Sequence, residues 1–578
     1  MIELRPYSGS SRKLVIAIDV GTTYSGAAYC ILDPGVIPKV WSVTRFPGQE
    51  GENKSRDVKI PSVLYYDQYD NLREVGAEAT LESTKERAYA EEWNYVKWSV
   101  LCITLPPIEV DKSTVDILAD FLAYIFKHTK DHIIKTNPTG CQILEANSAS
   151  GPPIDFVLSH PNGWSGPQQS SMRRAAIIAK LVPDDDEGAS RIQFVTEGEA
   201  SLQFCIATGL GNDIIREDNH VTIVDCGGGT IDVSTYRFVD SGPVTVEESA
   251  IPECIIQGST MVNRRAEELL RNKLRSSRFA TNDDIEAMMS TFESMTKPTF
   301  RDPTAISYIR FGGPRDTDER YNIRRGVLSL SGSEMASLFQ PSINAIKSAI
   351  TNQVAGLDPR RTTILLVGGF ATSPFLQEEL QSHVDGKGLR MFSPDGQTSK
   401  AVAEGALWFY LDHRVRARVA RHTYGSQCCV NYDGSNPEHV QRSHLAYTYI
   451  DGALVVPSMF AILTRKGTSV TETTEFTYPL SHYLTAFLGT DVSSDIISYR
   501  GSKTDPRWTD EEPGMFTTLC TVRSTPAAAS WHKGNGPKGP YRWQKFVVIL
   551  QLGLTEMKAQ VAWWENVSPA TLVYDNEA

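Results

Sequence analysis

Two hydrophobic rhythms alternate along the first four hundred residues. From Lys13 an apolar, β-branched run, LVIAIDVG, meets a turn and a second run, GAAYCIL, the pattern of buried strands joined as a hairpin. Residues 113–135 (STVDILADFLAYIFKHTKDHIIK) change to a helical period. There Val115, Leu118, Leu122, Ile125 and Phe126 share one face behind a serine N-cap. Further strands are predicted at 156–158, 221–224 and 363–367, and further helices at 168–180, 261–275, 332–354 and 400–420. Strands alternating with helices predict an α/β architecture with covered sheets. Beyond about Tyr424 the helical period fades into β-formers and turns (VVPSMFAILT, KFVVILQLGL, AQVAWW), which predict a separate, mostly β region. Residues 1–12 read as a flexible arm. Residues 145–153, 183–188 and 524–541 read as loops, the last being the least ordered in composition.

Composition narrows the classes. A chain of 578 residues exceeds one hydrophobic core, and 41% hydrophobic with 22% charged residues is an ordinary balance for a folded protein. The net charge of −12 argues against a general nucleic-acid surface. No run is long and apolar enough for a membrane span, and the first residues lack the apolar core of a secretory signal. Nine cysteines include no CxxC pair, and the adjacent Cys428 and Cys429 are poorly placed for zinc. Reduced thiols in the cytoplasm, or the nucleus, are the simplest expectation.

The candidate chemistry lies in two similar segments. VIAIDVGTTY (15–24) and TIVDCGGGTIDV (222–233) are each an apolar strand ending in aspartate, then a glycine turn with threonine. Glycines let backbone approach a phosphate, exposed N–H groups and Thr hydroxyls donate to its oxygens, and a carboxylate holds Mg²⁺ through its water shell. Each alone can be a strand followed by a tight turn; as a matched pair they predict a triphosphate gripped from both sides. A third segment, TTILLVGGFATSPFLQEEL (362–380), is a strand–GG–helix unit in which Gly368 and Gly369 would let backbone pack on a flat ring. Neither GxxxxGK[ST] nor a strand-borne GxGxxG is present.

The order of these three segments resembles that of the heat-shock protein 70 family and its actin-like ATPase relatives. VTEGEAS (195–201) and AVAEGALW (401–408) resemble the family's two connecting motifs, so the likeness covers about Lys13 to Ala420. It implies two duplicated actin-like, ribonuclease H-like lobes (13–215 and 216–420), followed by a divergent β-rich region (421–578). It implies bound ATP or ADP and Mg²⁺, with Asp19 and Asp225 at the hydrated metal. Gly21, Thr22, Thr23 and Tyr24 would hold one side of the phosphates, and Gly227, Gly228, Gly229 and Thr230 the other. Glu197 would help order metal and water, and Lys97, in NYVKWS, stands where the family has its catalytic lysine. Gly368, Gly369, Glu293 and Lys297 would contact the nucleoside.

The chain also departs from the family. Gly198 replaces a proline, Phe370 and Thr372 replace a serine and an arginine beside adenine, and the interdomain linker is missing after Ala420. Instead the predicted helix ends in a basic run, HRVRARVARH (413–422), read as charge favourable to a helix C-terminus. This layout resembles the family's divergent member-12-like branch, abundant in fungi. Three readings follow: a slow Mg-dependent ATPase switch with polypeptide clients or cochaperones on the C-terminal region; a nucleotide-sensing scaffold; or a small-molecule kinase using Asp232 as base.

Overall fold

The computed structural model describes residues 5–50, 58–97, 110–145, 154–211, 213–394, 400–485, 492–524, 531–553, 556–563, 566–569 and 571–574. The chain divides into two compact units. The first comprises Met1–Gly163, Met172–Val246 and Pro252–Arg414; the second comprises Trp164–Ser171, Glu247–Ile251 and Val415–Ala578.

The first unit contains the same sheet twice. β1 (Lys13–Val20), β2 (Tyr24–Leu32) and β3 (Lys39–Ser42) form an antiparallel meander. The short β4 (Lys59–Pro61) pairs with β2, and β8 (Ile154–His160) and β9 (Ile192–Thr196) add in parallel beyond β1, giving the order β3-β2-β1-β8-β9. Between them β5 (Val63–Tyr66) collects β6 (Leu72–Val75) and β7 (Asn94–Lys97) into a small sheet. The second copy repeats the plan with β10 (His220–Cys226), β11 (Ile231–Ser241), β12 (Val244–Glu248) and β13 (Glu253–Ile255), then β14 (Thr362–Val367) and β15 (Arg390–Phe392). Its order runs β15-β14-β10-β11-β12, with β13 on β11 as β4 is on β2. Both central strands are buried along nearly their whole length, which explains their continuous apolar runs. The fold class is therefore α/β, with duplicated actin-like lobes and a mostly β C-terminal region.

Helices cover these sheets. α1 (Thr114–Thr136) starts at the serine read as its N-cap: Ser113 accepts from Asp116 N, and the Asp116 carboxylate returns the bond, a capping box. Its buried stripe takes in Leu118, Leu122, Ile125 and Phe126 and adds Ile117, Phe121 and Ile133, while Val115 is only half-buried. α2 (Glu197–Thr208) follows β9 under a Thr196 cap; α3 (Ser259–Leu274) and α4 (Gly332–Gln353) cover the second copy, and α5 (Ala401–Asp412) covers the first. α2 and α5 cross so closely that a Cβ on Gly405 would lie 1.8 Å from the Ala200 carbonyl oxygen.

Several loop and helix expectations change. The helix predicted over 400–420 stops at Asp412. His413 turns left-handed, and the chain continues as a strand, Val415–Val419. The alternating V-R-A-R-V pattern is a strand rhythm, and the basic run is not a helix C-terminus. Arg414 is buried against Gln203 and Asp412. Tyr7, in the expected arm, exchanges backbone hydrogen bonds with Gly35 and Val36. Residues 183–188 run into a short helix, Asp186–Ser190, capped by Asp185. Residues 146–153 lie outside the described residues.

The second unit is a β-structure with its own core. One sheet holds β16 (Thr423–Asn431), β17 (Leu454–Thr464), β19 (Val492–Tyr499) and β20 (Phe516–Ser524). The other holds β18 (Glu475–Thr485), β21 (His532–Gly536), β22 (Gly539–Gln551) and β23 (Lys558–Trp563). Val492, Ile496 and Val522 of the first sheet pack with Phe546, Val548, Leu550 and Val561 of the second. Of the segment read as least ordered, residues 532–541 belong to the hairpin β21–β22, closed by Pro537-Lys538 between paired Gly536 and Gly539, with φ +102° at Gly539, and residues 525–530 lie outside the described residues. Its glycines and proline mark a tight turn rather than an unpaired loop.

Candidate functional site

The two glycine turns, two hundred residues apart in sequence, meet in space. Each leaves the end of the central strand of its sheet, so the repeated topology carries both to the same place. A Cβ on Gly228 would lie 2.0 Å from Thr23 Oγ1, and one on Gly229 would lie 2.7 Å from Thr22 Oγ1. The second turn is held from behind by the start of α3. Gly258 N donates to Gly229 O, Ser259 N to Gly227 O and Thr260 N to Gly228 O, at 2.9–3.2 Å. The first is held by Ser62, whose N donates to Thr23 O and whose hydroxyl donates to Gly21 O.

Four carboxylates gather behind the turns. Asp19, 2% exposed, accepts from Ser159 Oγ at 2.9 Å, and Asp225, 4% exposed, accepts from Ser201 Oγ at 2.9 Å. Asp232 faces Asp225 across the β10–β11 pair and accepts from Asn162 N at 2.6 Å; Glu197 begins α2. Burial, and then the negative charge of Asp232, push Asp225 up to about 7. Burial followed by Asp232, Asp19 and Asp225 raises Glu197 well above the carboxylate range. This concentration of buried negative charge calls for a cation.

Lys59, missed by the sequence reading, supplies one. Its ammonium is 2.6 Å from Asp19 Oδ2. Burial alone would depress Lys59, but Asp19, Asp225 and Glu197 outweigh it and hold the ammonium above its ordinary value. Removing one member of so buried a pair would cost about 3–5 kcal/mol. The available signal was a lysine inside the apolar strand pattern VKIPSVLYY, where a solvent-facing residue is not needed. Lys97 is not brought to this cluster: it is exposed on β7, opposite Val63, with its ammonium 5.6 Å from the Tyr95 ring centre.

The third glycine segment joins the same site. β14 runs parallel to β10, so Gly368 follows it directly beside Asp225. Its φ of +91°, and a would-be Cβ only 2.4 Å from Asp225 Oδ1, admit glycine alone. A Cβ on Gly369 would meet nothing within 4 Å, so open space lies beside it. Glu293 sits exposed in a π-helical turn, Phe292–Thr296, and Lys297 just after it donates to Asn263 Oδ1 at 2.8 Å. Burial lowers Lys297 to about 8, with Glu293 working against the shift. Tyr24 is 54% exposed at the edge of the first turn.

With the geometry in place, comparison with known proteins becomes informative. No protein-family model matches the chain. It is 24% identical to human heat shock 70 kDa protein 12B over 513 residues, 73% of this chain and 72% of that protein. It is 22% identical to human heat shock 70 kDa protein 12A over 521 residues, 73% of each. A heat shock protein of the fungus Pyricularia oryzae matches 256 residues at 24% identity, 43% of this chain and 38% of that protein. The chain resembles the heat-shock protein 70 family and its member-12-like branch.

The departures from that family have structural reasons. Where the family has proline, a Cβ on Gly198 would already lie 2.7 Å from Ser234 Oγ and 3.2 Å from the Asn162 amide, so a larger residue would have to displace the buried Ser234–Asn162 pair. Phe370 turns away from Gly369 into the core, stacked on Phe339 at 6.1 Å, while exposed Thr372 bonds back to Gly369 O. His160 is buried, with Nδ1 2.9 Å from Pro161 O and its ring against Phe194, a structural setting.

Proposed function

We propose that this chain is an ATP-binding, heat-shock protein 70-like nucleotide switch with slow Mg-dependent hydrolysis, built from lobes 13–215 and 216–420 and a client-binding region 421–578. The observation that carries this reading is the meeting of the two glycine–threonine turns over three buried aspartates and the half-buried Glu197. Backbone N–H groups and hydroxyls of Gly21–Tyr24 and Gly227–Thr230 would grip the phosphates. Gly368 and Gly369 would lie against the nucleoside, with Glu293 and Lys297 at its rim.

The carboxylates suit a magnesium ion that keeps its water shell. Among the described residues no group of three or more His, Cys, Asp or Glu side chains could hold an ion directly. Asp19 and Asp225 would hold it through water, and the bound ion would neutralise phosphate charge. Glu197, its proton affinity raised by burial and three neighbouring carboxylates, would orient water and accept a proton from it at the carboxylate. Ser159 and Ser201 fix the rotamers of Asp19 and Asp225. The kinase reading is disfavoured because Asp232 is 1% exposed and already accepts from Asn162 N.

The C-terminal unit suits an extended polypeptide. β16 and β19 pair only at Thr423–Gly425 and then diverge, bridged by Ser426 Oγ to Asp495 O. The opening is a cleft of about 760 Å³, bordered by Cys428, Tyr449, Tyr478, Tyr483 and Asp495, with separated strand edges on its walls. We assign the protein to the cytoplasm on the family likeness; among the described residues no helix is long and apolar enough to cross a membrane.

The test is Mg-dependent ATP binding and turnover by the full chain beside Asp19→Asn. Slow turnover that requires magnesium, and binding of Mg·ATP, are expected, both lost in the variant. Unchanged affinity of Asp19→Asn for Mg·ATP would show the site assignment to be wrong. Tight binding without turnover would favour the scaffold reading, to which the exposed placement of Lys97 over Tyr95 lends support.

A further inference from the structure

Lys59 reaches the carboxylates by construction. β4 is locked to β2 with Lys59 opposite Gly26, Ile60 opposite Ser25 and Pro61 opposite Tyr24, so the lysine lies beside the first turn. Its carbonyl accepts from Gln49 Nε2 at 2.9 Å, and the next residues, through Ser62, hold the turn itself. The aliphatic stem crosses Gly26, where an added Cβ would lie 3.2 Å from Lys59 Cγ. Its side chain is 22% exposed while the ammonium is paired with Asp19. An ammonium has three donors, and the Asp19 contact leaves it able to donate to a second acceptor.

A polyphosphate entering between the turns would meet four carboxylates. Among the described residues, Lys59 is the cation placed against this cluster, its ammonium 2.6 Å from Asp19 Oδ2. We propose that the Lys59 ammonium is the phosphate-neutralising group of this site, so that nucleoside triphosphate binds without a divalent ion. Asp19 then serves chiefly to position Lys59, and a hydrated divalent ion competes with the lysine for that carboxylate. This assignment rests on the nucleotide-binding reading and adds to it a specific source of charge. It also gives the site a lysine in place of Lys97.

The experiment is calorimetric titration of the full chain with ATP, in magnesium and in chelator, for wild type, Lys59→Met and Lys59→Arg. Folding of each is checked by circular dichroism melting. Wild-type affinity in chelator is expected within about tenfold of that in magnesium. Lys59→Met should bind about 30- to 100-fold more weakly in chelator, the worth of one charged hydrogen bond, and Lys59→Arg should recover most of it. A wild type that loses more than about 100-fold in chelator overturns the proposal while leaving nucleotide binding intact. So does a folded Lys59→Met that binds in chelator like wild type. If Lys59→Met does not fold, the wild-type and Lys59→Arg titrations still decide the question. Absence of ATP binding by wild type in both buffers would refute the nucleotide reading itself, and this one with it.

Discussion

Gly405→Ala sets two elementary effects against each other, and the structure says which wins. On helix propensity alone the change should stabilise α5 by about 1 kcal/mol. The added methyl, however, would stand 1.8 Å from Ala200 O and 2.6 Å from Ala200 C, both backbone atoms of α2, so no side chain can swing aside. Overpacking a core costs about 1–3 kcal/mol, and a backbone obstacle belongs at the top of that range or beyond. α5 also packs on β1, β2 and β8, which limits its retreat. The net expectation is a loss of about 2 kcal/mol. It should be measured as a lower urea midpoint of the first unit at unchanged m-value. Gly386→Ala is the control. That glycine ends the helix Pro374–Asp385 with φ −61°, and its Cβ would meet only ordinary contacts at 3.4 Å or more. It should be neutral or slightly stabilising. If Gly405→Ala matches the control, the α2–α5 contact is looser than described and the argument from close packing fails.

Two further outcomes follow. Lys97→Ala should change ATP affinity and turnover by less than about twofold, because its ammonium lies over Tyr95 rather than at the carboxylates; a loss beyond about tenfold would return the catalytic role to Lys97. In the second unit, burial lowers His422 from 6.5 to about 4, assisted by Arg500, Arg421 and Lys466. A base with a depressed folded pKa contributes stability that is complete above 6.5 and is lost as pH falls toward 4. The bound of about 3 kcal/mol shrinks to about 1–2 kcal/mol for a partly solvated ring. Comparing urea midpoints at pH 7 and pH 4.5, His422→Gln should lose less stability on acidification than wild type; equal losses would exclude His422 as a contributor.

Much of the first unit was legible because local chemistry and tertiary role coincide there. Buried central strands need unbroken apolar runs, so β1, β10 and β14 announced themselves. Ser113 and Asp116 form a cap whose hydrogen bonds close within one turn, which makes it visible to any local reading. Pattern matching failed where neighbouring residues suit two structures. The segment after Asp412 has an alternating strand rhythm appended to a helix, and only the turn at His413 separates them. Residues 532–541 carry the glycines and prolines of a loop, yet they form a hairpin whose second strand pairs along its length with β18.

The sequence by itself determined the duplicated strand–aspartate–glycine units and thus the kind of ligand they would suit, because phosphate chemistry demands those residue types at that spacing. What only the tertiary structure decided was which side chains share the site. Strand pairing placed Lys59 on Asp19 and Lys97 over Tyr95, and the packing of α2 against β11 and α5 made small residues fit at 198 and 405. Such contacts join residues up to about two hundred positions apart, and their distances depend on the packing of whole sheets and helices. A local pattern has no means of encoding them.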